Sequence, residues 1–382
     1  MTDSYSEVST ESWISRIGGS ILGVGFGLLL FLVAFVLLWW NEGRSIETYK
    51  SLKEGQKDAL SIPIQPINQG NNGKLVYIQG PVLARDQLID PDFSVAMSAI
   101  KLKRRVQMYQ WIQTEKSNTV TNVGGGTTTT KSYTYHLDWT EAENDSRQYK
   151  EAVGHSNPAM PFKSQEFVAR NVSLGDFSLN GSQIERMSDY QPLTVPVISL
   201  PKVMARRKIT KTGHEFYVGE NPFVPVVGDL KLNYEVVMPG QVSVVARQAS
   251  NGFDPYVTKT GGTVDLFENG IKTLGEMFAI AQDENTVLTW ILRGAGFALF
   301  WIALYLMLNP LVMISELVPL VGQLIAAGAG LFSLLAAIPL TLSTIATAWI
   351  IARPLLALSV LVAAGVSVSL IFLLPRQRPN QG

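Results

Sequence analysis

From Gly18 to Trp40 the chain runs for 23 residues without a charge, bounded by Arg16 and Glu42. A bilayer interior offers backbone groups no water to pair with, so an apolar segment of about 20 residues or more crosses it as a helix. The other end of the chain is under the same constraint. From Gly294 to Ala352 the only charged residue is Glu316, and beyond Arg353 a second uncharged run extends from Pro354 to Pro375. Between these ends lies a polar stretch in which residues 42 to 288 hold 26 Lys and Arg against 27 Asp and Glu. The expected fold class is therefore an α+β membrane protein, with one large β-rich soluble domain inserted between the first and second of four transmembrane helices. Balanced charge over that domain argues against a nucleic-acid surface. Cysteine is absent, which removes disulfides, thiolate nucleophiles and cysteine metal sites.

The first apolar run is too long for the core of a signal peptide and ends in Trp39 and Trp40, whose rings favour the headgroup level, so it reads as an uncleaved anchor. At the C-terminal end, Asn309 and Pro310 are expected to end the second span. The 36 uncharged residues from Leu317 to Ala352 would make one helix of about 54 Å, too long for a hydrocarbon core of about 30 Å. Glu316, Pro319 and Gly322 are therefore read as breaking it, with a bend near Pro339. The resulting expectation is a cytoplasmic N terminus at 1–17, spans at 18–40, 287–308, 323–351 and 354–374, an extracytoplasmic or lumenal domain with helical stalks at 41–286, a connecting or interfacial segment at 309–322, and a cytoplasmic tail at 375–382. The side assignment uses Arg16, Arg376 and Arg378, because basic residues near span ends stay in the cytoplasm.

Within the domain, apolar residues alternate as strands require. Ile100, Leu102, Val106, Met108 and Ile112 share the face expected to be buried, and Lys101, Lys103, Arg105, Tyr109 and Trp111 the other. Tyr133, Tyr135, Leu137 and Trp139 repeat the alternation, so residues 100–114 and 131–140 are expected as a long hairpin around a polar, glycine-rich loop. A second hairpin is expected from 230–236 to 242–246 around Pro239 and Gly240. Ile46, Tyr49, Leu52 and Lys53, and then Ile271, Leu274, Met277, Phe278 and Ala281, recur at helical spacing and suggest stalks leading into the first and second spans.

No GxSxG elbow, HExxH pair or phosphate loop accompanies His136, His155 and His214, so no enzyme, metal or cofactor is expected. Glu316 is the one candidate intramembrane or interfacial acid; its neighbours Asn309 and Pro319 favour a hydrated carboxylate at the interface over a buried one. Lys202, Arg206, Arg207, Lys208 and Lys211 form a basic cluster that suits either anionic headgroups or a solvated sheet edge. Gly19, Gly23 and Gly27 lie on one stripe of the first span, and Gly322, Ala326 and Gly330 repeat the spacing. Small residues four apart let helix backbones approach closely, within one chain or between chains. The partners expected are thus the lipid bilayer, further copies of the chain and other membrane proteins.

Ten strings in order carry a resemblance: NEGR at Asn41–Arg44, SLKEG at Ser51–Gly55, KLVYIQG at Lys74–Gly80, AIKLKRRVQMYQWIQTE at Ala99–Glu115, YTYHLDW at Tyr133–Trp139, GHSNPAM at Gly154–Met160, ENPFVPVVGDLKL at Glu220–Leu232, VVARQ at Val244–Gln248, TWILRGAG at Thr289–Gly296 and RPLLAL at Arg353–Leu358. Through them the chain resembles the transmembrane protein 43 family, also called LUMA, over nearly its whole length. The resemblance implies four spans and a lumenal or extracytoplasmic domain. In animals it implies residence in the endoplasmic reticulum and nuclear inner membrane, self-association, and organisation of nuclear-envelope proteins such as emerin and lamins. The short hydrophilic N terminus and the lack of cysteine look more bacterial, which would place the protein in an inner membrane with a periplasmic domain. The function expected is a scaffold that organises or senses the membrane, with a small-molecule or ion channel or transporter as the alternative and a membrane-bound enzyme behind both.

Overall fold

The computed structural model describes residues 4–195, 198, 207–350 and 354–373. Two long helices organise it. Helix α1 spans Trp13–Asp58 unbroken, with the Ser12 side chain accepting from the Ser15 amide at its start. Its 46 residues extend about 69 Å, more than twice the thickness of a hydrocarbon core, so the helix leaves the bilayer and enters the domain as a stalk. After the short α2 (Gly181–Arg186) inside the domain, α3 spans Leu274–Ser315 and begins with a reciprocal capping box between Thr273 and Glu276. Helices α4 (Pro319–Trp349) and α5 (Pro354–Leu373) complete the bundle. Helices α1, α3 and α4 are long and apolar enough to cross a membrane, and the 20 residues of α5 reach about 30 Å. Chain direction alternates through the four, so the start of α1, the α3–α4 turn and the end of α5 share the face opposite the domain.

Several boundaries differ from the sequence expectation. Helix α3 does not stop at Asn309 but runs through Pro310 to Ser315; a proline inside a membrane helix costs one donor and is tolerated among packed neighbours. The connecting segment expected over 309–322 shrinks to Glu316–Val318, because Pro319 takes the first-turn position of α4, where its fixed φ suits a helix and no donor is lost. The N terminus expected as a cytoplasmic tail is a strand, Ser4–Glu11. The tail at 375–382, with Arg376 and Arg378, lies outside the described residues.

The domain is a two-sheet sandwich. One sheet orders Ser4–Glu11, Thr127–Thr140, Lys101–Thr121, Leu230–Val237, Glu215–Val218 and Ile209–Thr212; the other centres on Leu75–Ala84 beside Gln241–Ala249. Leu102, Val106, Met108, Leu230 and Leu232 from the first meet Val76, Ile78, Val242 and Val244 from the second in the main core, all essentially fully buried. The expected hairpin over 230–246 is corrected by this arrangement. Leu230–Val237 pairs with Lys101–Thr121 and Gln241–Ala249 with Leu75–Ala84, so Met238, Pro239 and Gly240 carry the chain from one sheet to the other and the two strands face each other across the core.

The other hairpin is longer than expected. Its strands pair from Met108 opposite Thr140 to Thr121 opposite Thr127, because the Thr and Val of the supposed loop are good strand formers. The strand Ser4–Glu11 adds to its outer side, Ser4 opposite Thr134 and Glu11 opposite Thr127. The result is a three-stranded ribbon projecting from the sandwich. A second, smaller core joins sandwich to helices: Leu52, Met277 and Phe278 pack on Leu75, Tyr77, Val245 and Val264. Gly55 lets the packing close up there, since a Cβ would sit 3.0 Å from Val264 and 3.3 Å from both Leu75 and Phe278 and those side chains would have to shift by a few tenths of an ångström.

Met108 is fully buried, whereas Lys103 is half-buried with its ammonium 5.3 Å from the Tyr190 ring. Met108→Asp is therefore expected to destabilise the domain by about 3 kcal/mol or more, and Lys103→Asp by about 1 kcal/mol or less. Thermal unfolding of the two variants in detergent checks this face assignment, and equal shifts would contradict it.

Candidate functional site

The most concentrated polar chemistry on the helices lies where they leave the hydrocarbon on the domain side. Asn41 and Glu42 of α1 are 0% and 1% exposed although they follow directly on Trp40. The Glu42 carboxylate accepts from Arg293 Nε at 2.7 Å and Nη2 at 2.8 Å, and from Trp349 Nε1 at 2.6 Å. One carboxylate thus holds α1, α3 and α4 together. The Arg293 guanidinium also lies 4.7 Å from the Trp290 ring and 5.4 Å from that of Trp349, a placement that offsets lost hydration through the ring quadrupoles.

One turn further toward the domain, Arg44 donates to Asn285 Oδ1 at 3.1 Å, Thr289 Oγ1 at 3.2 Å and Asn41 Oδ1 at 3.3 Å. Asn41 donates to the Thr289 carbonyl at 3.1 Å and Asn285 to the Ser45 carbonyl at 3.0 Å. Helices α1 and α3 are therefore in register through side-chain to backbone bonds in both directions. Below this layer they approach closely at two glycines: a Cβ on Gly296 would stand 2.5 Å from Leu38 Cγ, and one on Gly27 would stand 2.9 Å from the Ala303 carbonyl oxygen. Phe31 and Phe300 meet edge to face at 4.9 Å between these points.

A second constellation ties the opposite ends of the helices. Arg16 pairs with Glu316 at 2.5 Å, each about one-eighth exposed, and Arg16 also donates to the Gly125 carbonyl. Trp13 Nε1 donates to the Met313 carbonyl at 2.9 Å, and the Gly124 amide to the Leu317 carbonyl at 3.3 Å. The ribbon tip, the start of α1 and the α3–α4 turn converge here. Gly125 has φ +80° and packs its Cα against the Trp13 ring, so backbone conformation and space both require glycine. Glu316 was expected as a hydrated carboxylate; here it has a guanidinium partner that arrives from the other end of the sequence.

Inside the sandwich, Arg104 occupies an inward position and is 2% exposed. It donates to Asp90 Oδ1 at 2.7 Å and Oδ2 at 2.9 Å, and Asp90 also accepts from Tyr234 Oη at 2.7 Å. Burial and that carboxylate push the Tyr234 phenol above its ordinary range. Arg104 also donates to Asp92 Oδ2 at 2.9 Å and to the Lys163 carbonyl at 3.1 and 3.3 Å, so its donors are spread over the core and the loop at 163.

The remaining sequence candidates are dispersed. Gly27 packs in-chain, whereas a Cβ on Gly19 or Gly23 would meet nothing within 4 Å. Gly322 faces Glu316, Ala326 is half-buried on α4, and the Gly330 carbonyl accepts from Trp301 Nε1 at 3.1 Å. Of the basic cluster, Lys202 and Arg206 lie outside the described residues. Arg207 donates to the Gly228 carbonyl at 2.6 Å, Lys208 is exposed, and Lys211 reaches the Val195 carbonyl at 2.9 Å. His155 is buried against Tyr135, ring centroids 4.0 Å apart, while His136 is exposed and His214 bonds Thr194 at 2.6 Å.

The Glu42–Arg293 pair is not among the sequence candidates. The available signal was an acid closing one span and a base opening the next on the same side of the bilayer. Removing one partner leaves the other charge buried and unpaired, which costs about 3–5 kcal/mol. Glu42→Gln and Arg293→Met singly should therefore lower thermal stability more than the two combined; a strictly additive double mutant, measured by unfolding in nanodiscs, would contradict the coupling.

The comparisons with known proteins agree with this architecture. The family model for transmembrane protein 43 matches residues 108–354. Transmembrane protein 43 of Rattus norvegicus is 34% identical over 359 residues, covering 90% of this chain and 88% of the relative. That of Homo sapiens is 33% identical over 366 residues, covering 92% and 89%, and the Drosophila melanogaster homolog is 31% identical over 355 residues, covering 88% and 91%. These relatives are animal proteins and lend no support to the bacterial source suggested by the short N terminus and the lack of cysteine. No solved structure matches. With two-thirds of the chain inside the family model and about a third of its residues identical to full-length relatives, the protein belongs to the transmembrane protein 43 family.

Proposed function

We propose that the protein is a self-associating integral membrane scaffold, whose extramembrane domain organises or senses the bilayer and other membrane proteins. The observation that carries this reading is mechanical. Helices α1 and α3 pass unbroken from the bilayer into the second core, and Glu42, Arg293 and Trp349 hold them at the boundary. A domain mounted in this way cannot reorient independently of its spans, which suits holding partners at a fixed height and angle above the membrane. In a eukaryotic cell the corresponding role is organisation of the endoplasmic reticulum and nuclear inner membrane from the lumenal side; in a bacterium it is organisation of the inner membrane from the periplasm.

Self-association is supported by the part of the glycine stripe that the chain leaves open. Gly27 is consumed by contact with α3, but among the described residues a Cβ on Gly19 or Gly23 would meet nothing within 4 Å, so a second helix can approach α1 closely there. Gly23→Leu should reduce the assembly's size in nanodiscs or mild detergent, while Val24→Leu, off the stripe, should not. Light scattering on the purified variants decides it. A parent protein that stays monomeric at every concentration would end the self-association reading.

A further inference from the structure

The ribbon creates a physical problem that a single chain does not solve. Its base is fixed to the sandwich on one side of the spans, where the Tyr109 amide donates to the Asp229 carbonyl at 2.9 Å. Its tip is fixed by Trp13, Arg16 and Glu316 at the other end of the same spans. From Arg16 to Trp40 along α1 is about 36 Å, and from the tip at Asn122 back to Tyr109 along the strand is about 43 Å. The ribbon therefore passes through the layer that Gly18 to Trp40 crosses.

Lipid cannot surround it there. A strand pair facing hydrocarbon needs one apolar face, and here both are polar. Glu7, Glu115 and Lys131 lie on one face, with Lys131 pairing Glu115 at 2.8 Å and Lys150 pairing Glu7 at 3.1 Å; Tyr5, Tyr133 and Tyr135 share that face nearer the base, where Tyr133 and Tyr135 are buried by the domain's own segment around Tyr149 and His155. From Thr114 to the tip the opposite face is built of Ser, Thr, Asn118 and Lys116, with Val8 and Val120 its apolar side chains; nearer the base it carries Ile112 and His136. Both edges are also open. All eight residues of Ser4–Glu11 are exposed and, among the described residues, no strand lies beyond them. On the far edge, Asn157 covers Trp111, accepting from its amide at 2.8 Å, and from Gln113 to Thr121 no strand follows among the described residues. Unpaired backbone groups in hydrocarbon cost several kcal/mol each. Among the described residues α1, α3, α4 and α5 pack extensively on one another, and α1 meets the ribbon at its tip, where Arg16 and Trp13 touch Gly125.

We infer that the ribbons of several copies pair edge to edge around a shared polar interior, with Ser4–Glu11 of one copy beside Gln113–Thr121 of the next. Both strands run from base to tip, since each is antiparallel to Thr127–Thr140, so the new pairing is parallel and every copy keeps the same orientation in the membrane. The two surfaces are different, which makes the contact head to tail and lets it close into a ring. Closure satisfies both edges at once, and α1 keeps exposed apolar side chains for lipid in Ile21, Leu22, Phe26 and Leu29. The inference rests on the self-association proposed above and adds the ribbon edges to the glycine stripe of α1 as contacts between copies.

Val8 and Asn118 stand level with each other, both opposite Thr130. Within one chain they are two strand spacings apart, about 9.6 Å, beyond the reach of a disulfide. The chain has no native cysteine, so a chain carrying Val8→Cys and Asn118→Cys can form disulfides only between copies. Oxidation in nanodiscs should yield a covalent ladder rising from the dimer, and neither single variant should yield one. The pair Ser6→Cys with Lys116→Cys, also level, guards against a variant that fails to assemble. If neither pair forms a ladder while the particle remains oligomeric, the ribbon edges are not the interface although self-association stands. If the particle is monomeric, both readings fall. A nitroxide on Ser117→Cys should be relaxed by a water-soluble agent, and relaxation by lipid-dissolved oxygen alone would place the ribbon in lipid and overturn the inference.

Discussion

Hydrocarbon offers no hydrogen-bond partner, and that single fact decides where every polar group at membrane depth must sit. The Glu42 carboxylate is the clearest case. At the edge of the bilayer it is buried, yet its oxygens are taken by a bidentate guanidinium and an indole donor. Charge-assisted, paired hydrogen bonds are the strong kind, and this set leaves neither ion without a partner. Because the three donors and acceptors come from three different helices, satisfying the charge also fixes how those helices sit. The close approaches at Gly27 and Gly296, and the Phe31–Phe300 contact between them, follow from that register.

The same constraint acts at the opposite face, where Arg16 and Glu316 answer each other across the bundle and capture the ribbon tip. The molecule is consequently tied at both ends of its spans: by the second core and the Glu42 network on the domain side, and by the ribbon tip on the other. A rigid connection of this kind transmits position between the two faces of a membrane without any need for a cleft or a reacting group. That is the physical content of the scaffold proposal.

Much of this was legible in the sequence where one dominant force acts. The spans follow from uncharged length, the stalks from apolar residues at helical spacing, and the buried face of Lys101–Thr121 from alternation. What was not legible depended on contacts between distant segments. Alternation identified 230–237 and 241–249 as strands but does not say which strand pairs with which, and nearness in sequence suggested a hairpin where the chain in fact crosses between sheets. Pro310 looked like a helix end because its cost is local while the packing that offsets it is not. Arg104 broke the inward pattern of its strand, a visible sign of a buried partner, but Asp90 and Tyr234 could be named only from the fold. Likewise Glu42, Arg293 and Trp349 are ordinary residues near three span ends until the helices are placed side by side.

The ribbon meets the N terminus at the end of the spans away from the domain, and a disulfide tests that directly. Glu11 precedes the first span and Thr127 belongs to the segment between the first and second spans, yet the two are paired opposite each other. Antiparallel partners have Cα atoms about 4.5–5.5 Å apart, within disulfide range. Glu11→Cys with Thr127→Cys, oxidised in intact membranes, should form a bond within one chain, seen as a reducible shift of the monomer band. Two free cysteines that react with an impermeant maleimide from opposite faces of the membrane would contradict the account.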